Sequence, residues 1–111
     1  MLKPVAAFLA ISLCIASCAQ RQTDALFRDI GTYIQERPDS ALIVLRGIDT
    51  LELRTKALRA HYSLLQAMAM DKNYIDTADV RVIQPALAFY TGKDERAMMA
   101  HYYAGRIYEN G

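Results

Sequence analysis

His61 and His101 stand forty residues apart, and a tyrosine follows each, Tyr62 and Tyr102. Imidazole titrates near neutral pH and is the commonest protein metal ligand, so these two positions are where chemistry would first be sought. Neither has the company such work needs. No His-Glu-x-x-His run and no Cys–His cluster accompanies them, whereas a zinc site takes its ligands at short, defined spacings. Asp71-x-Asn73 opens like a calcium loop, but Ile75 takes the fifth position, and the loop glycine and closing glutamate are missing. A Gly-x-Ser-x-Gly setting and a glycine-rich phosphate loop are absent too. Tyr62, Tyr74, Tyr90, Tyr102, Tyr103 and Tyr108 could line an aromatic ligand pocket. At helical spacing they read instead as core residues whose hydroxyls reach the rim. No catalytic residue, cofactor site or metal site is assigned, and the chain reads as a non-enzyme.

The remaining reactive side chain is a thiol. Lys3 gives the N-terminus a positive charge, and Val5–Ala16 is an apolar run interrupted only by Ser12 and Cys14. The run is too short to span a bilayer, which takes ~20 residues, but it fits the apolar region of a secretory signal. It ends in Ile15-Ala16-Ser17-Cys18. This resembles the lipobox of bacterial lipoproteins: an aliphatic residue, two small ones that let an extended backbone enter the peptidase, then a cysteine. The resemblance implies removal of residues 1–17 and diacylglycerol on the Cys18 thiol. The competing reading is an ordinary signal peptide with an incidental cysteine, or a buried helix. Lipidation would leave a mature chain without free thiol or disulfide in an oxidising compartment, stable through packing alone. Losing Lys3 takes the 13 Lys and Arg to twelve, against 12 acids. That balance argues against nucleic acid as a partner and against an acidic-lipid patch.

The mature chain reads as all-α. Ala19-Gln20-Arg21-Gln22 is a short tether, residues 18–22 with the anchor. Thr23 can cap a first helix over about Asp24–Glu36, with Ala25, Leu26, Ile30, Tyr33 and Ile34 as its apolar stripe. Pro38 opens a second helix that Gly47 ends, with Ala41, Leu42 and Leu45 inward. A third begins at Leu51, or at Lys56 if Thr55 is the cap, and reaches about Met70. The polar stretch Asp71–Thr77 connects it to a fourth helix over about Ala78–Tyr90, capped by Thr77, where Pro85 predicts a kink or a late start. Asp94 caps a fifth that runs into the last residues. Short connections make successive helices antiparallel neighbours.

The third and fifth helices nearly repeat one another. Lys56, Ala57, Ala60, His61 and Tyr62 return as Arg96, Ala97, Ala100, His101 and Tyr102. Self-similarity at such a period marks a helical repeat array. Ala104-Gly105-Arg106-Ile107-Tyr108 resembles the Leu-Gly-x-x-Tyr core of the tetratricopeptide repeat, where glycine allows the two helices of a pair close contact. Leu64–Met68 holds the equivalent places, and Ala86-x-x-x-Tyr90 resembles the Ala-x-x-x-Phe of a second helix. The period departs from the family's about 34 residues, and His61 and His101 fall where the family has tryptophan. With the stretches RPDSALIVLRGID, LRAHYSLLQAMAMDKNYID and MAHYYAGRIYEN, nearly the whole chain resembles tetratricopeptide-like lipoproteins of Gram-negative bacteria.

That resemblance implies two and a half antiparallel helix pairs over residues 23–111, stacked as a short superhelical array. A partner helix is expected beyond Gly111, as in the N-terminal part of a longer protein. It also implies a scaffold for protein or peptide partners, held by its lipid on the periplasmic side of the cell envelope. The alternative is the extracytoplasmic sensor part of a membrane regulatory protein whose output module lies elsewhere. In the family the first helix of each pair lines the concave surface. Counted from Gly105, that gives Met99, Tyr102, Arg106 and Glu109; counted from Leu65, it gives Arg59, Tyr62, Gln66 and Ala69. Arginine and tyrosine are enriched at binding hot spots, so Arg59, Tyr62, Gln66, Met99, Tyr102 and Arg106 are the expected partner-binding residues. The helical stripe of the third helix also claims Tyr62 for the core. Mass spectrometry of the envelope-derived protein is expected to show a chain that begins at Cys18 and carries acyl mass there. Cys18→Ser should release it from membranes.

Overall fold

The computed structural model describes residues 3–111, and their side chains from Cys18 onward. Among them are five α-helices, two short 3₁₀ turns and no strand. Helix α1 spans Lys3–Tyr33, α2 Pro38–Arg46, α3 Lys56–Lys72, α4 Gln84–Phe89 and α5 Glu95–Asn110. The side chains of residues 1–17, where the signal segment is expected, lie outside the described residues. No helix among the described residues is long and apolar enough to cross a membrane.

Three of these helices begin where local chemistry dictates. Pro38 sits in the first turn of α2, where its missing N–H costs nothing. The Thr55 hydroxyl accepts from the Leu58 N–H at 3.1 Å and so selects Lys56 as the start of α3. The Asp94 carboxylate accepts from the Ala97 N–H at 2.9 Å at the start of α5. The first helix departs from expectation. Thr23 caps nothing: it lies inside α1 and its hydroxyl donates to the Ala19 carbonyl at 3.0 Å. No Pro or Gly interrupts residues 18–30, so the expected tether continues as helix. The core stripe is Phe27, Ile30 and Ile34, while Ala25 and Leu26 are exposed.

The fourth helix is also shorter than expected. Asp79, rather than Thr77, is the cap, and it caps a 3₁₀ turn over Val80–Val82. The helix proper starts at Gln84, which leaves Pro85 in the first turn and removes any need for a kink. Ser63 of α3 secures that start. Its buried hydroxyl donates to the Val82 carbonyl at 2.6 Å and accepts from the Ala86 N–H at 3.3 Å.

Every other helix packs on α3. Leu58, Ala60, His61, Ser63, Leu64, Leu65, Ala67, Met68 and Ala69 are all buried, so α3 is covered on nearly every side. Asn73 closes it, with its side-chain amide donating to the Ala69 carbonyl at 2.6 Å and the Pro38 carbonyl at 2.9 Å. One amide thus ties the end of α3 to the start of α2. Tyr74 then takes φ of 59°, the left-handed turn that leads into the connector. A Cβ built at Gly105 meets nothing within 4 Å, so no helix among the described residues approaches it; the helix expected to pack there would follow Gly111.

Removing the Ser63 hydroxyl strands a carbonyl and an amide at the α3–α4 contact. Ser63→Ala should therefore lower unfolding free energy by roughly 1–3 kcal/mol. Urea denaturation, read as a lower midpoint at unchanged slope, checks this.

Candidate functional site

Helices α1, α3 and α5 enclose a groove of about 380 Å³. Its floor is apolar: Leu64, Leu65 and Met68 from α3, with Phe27 and Ile34 from α1 and Met99 from α5. Phe27 meets the His61 ring edge-on, with centroids 5.4 Å apart and planes at 70°, and lies tilted on Tyr62 at 6.1 Å. Gln35 donates to the Met68 sulfur at 3.7 Å across the α1–α3 seam. The walls carry charge. Arg28 on α1 pairs with Asp24 at 2.9 Å. Opposite it on α5, Glu95 and Arg96 line the groove, and the Arg96 guanidinium lies 5.8 Å over the Tyr90 ring. Burial holds the His61 imidazole below its ordinary 6.5, and Arg96 adds to the effect while Asp24 opposes it.

The six residues expected to bind a partner fall in several places. Arg59, Tyr62 and Gln66 share one hollow of about 170 Å³ between α3, the Thr50–Glu52 turn and the start of α4. There Arg59 donates to the Leu53 carbonyl at 2.8 Å and makes no ion pair among the described residues. Arg81, across the hollow, is held by Asp79 at 2.9 Å. Met99 belongs instead to the groove between α1, α3 and α5. Arg106 pairs with Asp71 at 3.0 Å and reaches Glu109 at 3.5 Å. Tyr102 is exposed on α5, its ring edge-on to that of Tyr103 at 5.0 Å. Tyr103 itself is buried, and that burial, with Asp71 and Tyr102 beside it, pushes its phenol up to about 12.

The two histidines of the repeat part company: His61 is buried against Phe27 and His101 is exposed. Cys18 is exposed on α1. No group of three or more His, Cys, Asp or Glu among the described residues is placed to hold a metal ion. Asp71 and Asn73 are spent on Arg106 and on two backbone carbonyls. The groove residues to which the sequence reading gives no place are Phe27, Arg28, Gly31, Gln35 and Glu95. A sharper signal was present for Phe27, which stands three residues before Ile30 and seven before Ile34.

No protein-family model matches the chain, and no curated protein or solved structure matches it either.

His61 makes stability depend on pH. Its folded-state proton affinity is depressed, so below about 6.5 the unfolded chain binds a proton that the fold resists. Stability is full above that pH and falls as acid approaches the folded value. Between pH 7 and pH 5, wild type should lose more unfolding free energy than His61→Phe, as read by urea titration at each pH.

Proposed function

We propose that the chain is a membrane-anchored helical-repeat scaffold that holds a protein or peptide partner in the groove between α1, α3 and α5. One observation carries the reading. The groove is built by alternate helices, while α2 packs on α1 and α3, and α4 packs on α3 and α5. Alternation of this kind is what stacked antiparallel hairpins of tetratricopeptide type would produce, and such arrays present extended binding surfaces. The forty-residue recurrence of Ala-x-x-Ala-His-Tyr between α3 and α5 supports the same architecture.

The groove suits a peptide better than a reaction. An apolar floor buries side chains, and arginines on facing walls orient carboxylates or backbone carbonyls. The anchor is the Cys18 thiol, at an exposed position on α1 and preceded by the lipobox-like run. Lipid there would keep the scaffold at the periplasmic face of the envelope.

The test compares the two flanks of α3. Arg28→Ala with Arg96→Ala removes both wall cations of the groove, and Arg59→Ala with Gln66→Ala alters the hollow. Affinity capture from envelope membranes should lose its specific partners, by tenfold or more, with the first pair and keep them with the second. Circular dichroism should be unchanged in both. Equal capture by wild type and the groove variant would remove the groove as the working surface.

A further inference from the structure

We propose that the hollow between α3, the Thr50–Glu52 turn and the start of α4 is a binding site for a small free carboxylic acid with a short aliphatic body. The hollow shares no residue with the groove, so it can be filled whatever the groove holds. It is built from residues 50–85, all internal to the chain.

A cation without a counter-ion points to the ligand. Arg59 is exposed and makes no ion pair among the described residues. Its Nη1 donates to the Leu53 carbonyl at 2.8 Å, which holds the guanidinium and leaves its Nε–Nη2 edge free. That edge matches a carboxylate with two parallel hydrogen bonds. Arg81, across the hollow, shows the match made: its Nε and Nη2 donate to the two Asp79 oxygens at 2.9 Å each. Arg81 and Asp79 therefore cancel. Asp49 is spent on the Leu51 N–H at 3.0 Å, and no carboxylate lines the hollow. The charge of Arg59 is left over.

The rest of the lining divides into donors and an apolar wall. Tyr62 and Gln66 are half-buried beside Arg59, and neither side chain has a hydrogen-bond partner among the described residues. At three- and four-residue intervals on α3 the three side chains share one side of the helix. Leu53, Val82 and Pro85 supply apolar surface. A carboxylate on Arg59, with Gln66 or Tyr62 donating as well, places a few carbons against that wall. Phosphate would leave the wall uncovered, and a neutral amide would leave Arg59 uncompensated. The hollow of about 170 Å³ is well under the roughly 300–1,000 Å³ of pockets for drug-sized ligands, so the body is a short or branched chain.

The walls are set before a ligand arrives. Asp49 caps the Thr50–Glu52 turn, and Ser63 holds the Val82 carbonyl at 2.6 Å and the Ala86 N–H at 3.3 Å. A preformed site loses little freedom on binding. An acid bridging Arg59 to the start of α4 would tie separate segments together, and its occupancy would stabilise the fold.

NMR titration of the full chain in detergent with sodium isovalerate, at fixed ionic strength, reads the site directly. The Arg59 Nε–H and Gln66 side-chain amide signals should move saturably, and Tm should rise. Isovaleramide, of the same shape without the charge, and inorganic phosphate should each bind at least tenfold more weakly. Arg59→Lys keeps a cation but loses the fork, and should weaken isovalerate tenfold or more with unchanged helicity, as should Arg59→Ala. Arg59→Ala with Gln66→Ala, which spares the groove, should lose isovalerate while keeping captured partners, so the two sites fail separately. Should Arg59→Ala lose its fold, Arg59→Lys, still able to donate to Leu53, carries the test. No saturable shift, an equal response to isovaleramide, or an unchanged affinity in Arg59→Lys overturns the proposal. So does phosphate binding as well as isovalerate, which marks a general anion surface. A hexapeptide ending in leucine that binds more tightly than isovalerate also overturns it, since the occupant is then a chain terminus.

Discussion

A helix buried on nearly all sides must settle its polar groups internally, and α3 is such a helix. Everything else in the fold leans on it, so its few polar side chains double as joints. Ser63 satisfies the frayed start of α4, and Asn73 satisfies its own C-terminus together with the start of α2. His61 fills space against Phe27 and stays deprotonated more readily than a free imidazole. No buried side-chain nitrogen or oxygen among the described residues is left without a partner. Packing, these hydrogen bonds and the Arg106–Asp71 ion pair all tie flanking helices to one seventeen-residue element, so their positions depend chiefly on it.

The same dependence separates what the residue string reveals from what it hides. Thr55, Asp94 and Pro38 act on backbone groups within a turn of themselves, so the starts of α2, α3 and α5 are legible from local chemistry. Thr23 has the same chemistry and fails as a cap, because nothing before it obliges the chain to leave the helix. Leu26 and Phe27 are adjacent, and the sequence offers both as the inward residue. Only the docking of α1 on α3 chooses Phe27. Pro85 predicts a kink or a late start, and the fold takes the late start.

The expected partner-binding residues show the limit more clearly. Arg59, Tyr62 and Gln66 do gather in one hollow, because spacing alone places them on one flank of α3. Which flank faces α1 and α5 is a tertiary property: Leu64, Leu65 and Met68 line that groove, and Tyr62 reaches Phe27 of α1 from its own hollow. The repeat misleads in the same manner at its histidines. Identical letters at His61 and His101 meet different surroundings: α3 has all four other helices packed on it, while α5 packs chiefly on α3, α4 and the Val80–Val82 turn. Sequence recurrence predicts equivalent local structure and says little about equivalent burial.

The unbroken run of α1 through Cys18 changes what an anchor there would mean. Phe27 lies nine helical positions beyond Cys18, a rise of about 14 Å. An acyl group on Cys18 would then sit at the foot of a rod whose upper part forms one wall of the groove. A flexible leader lets a domain sample all orientations above a bilayer; a rod fixes height and heading together. Stood on end, it would lift Arg28 and Arg96 beyond the Debye length of about 8 Å at physiological salt. The wall cations would then be screened from lipid phosphates and left to respond to whatever approaches from solution.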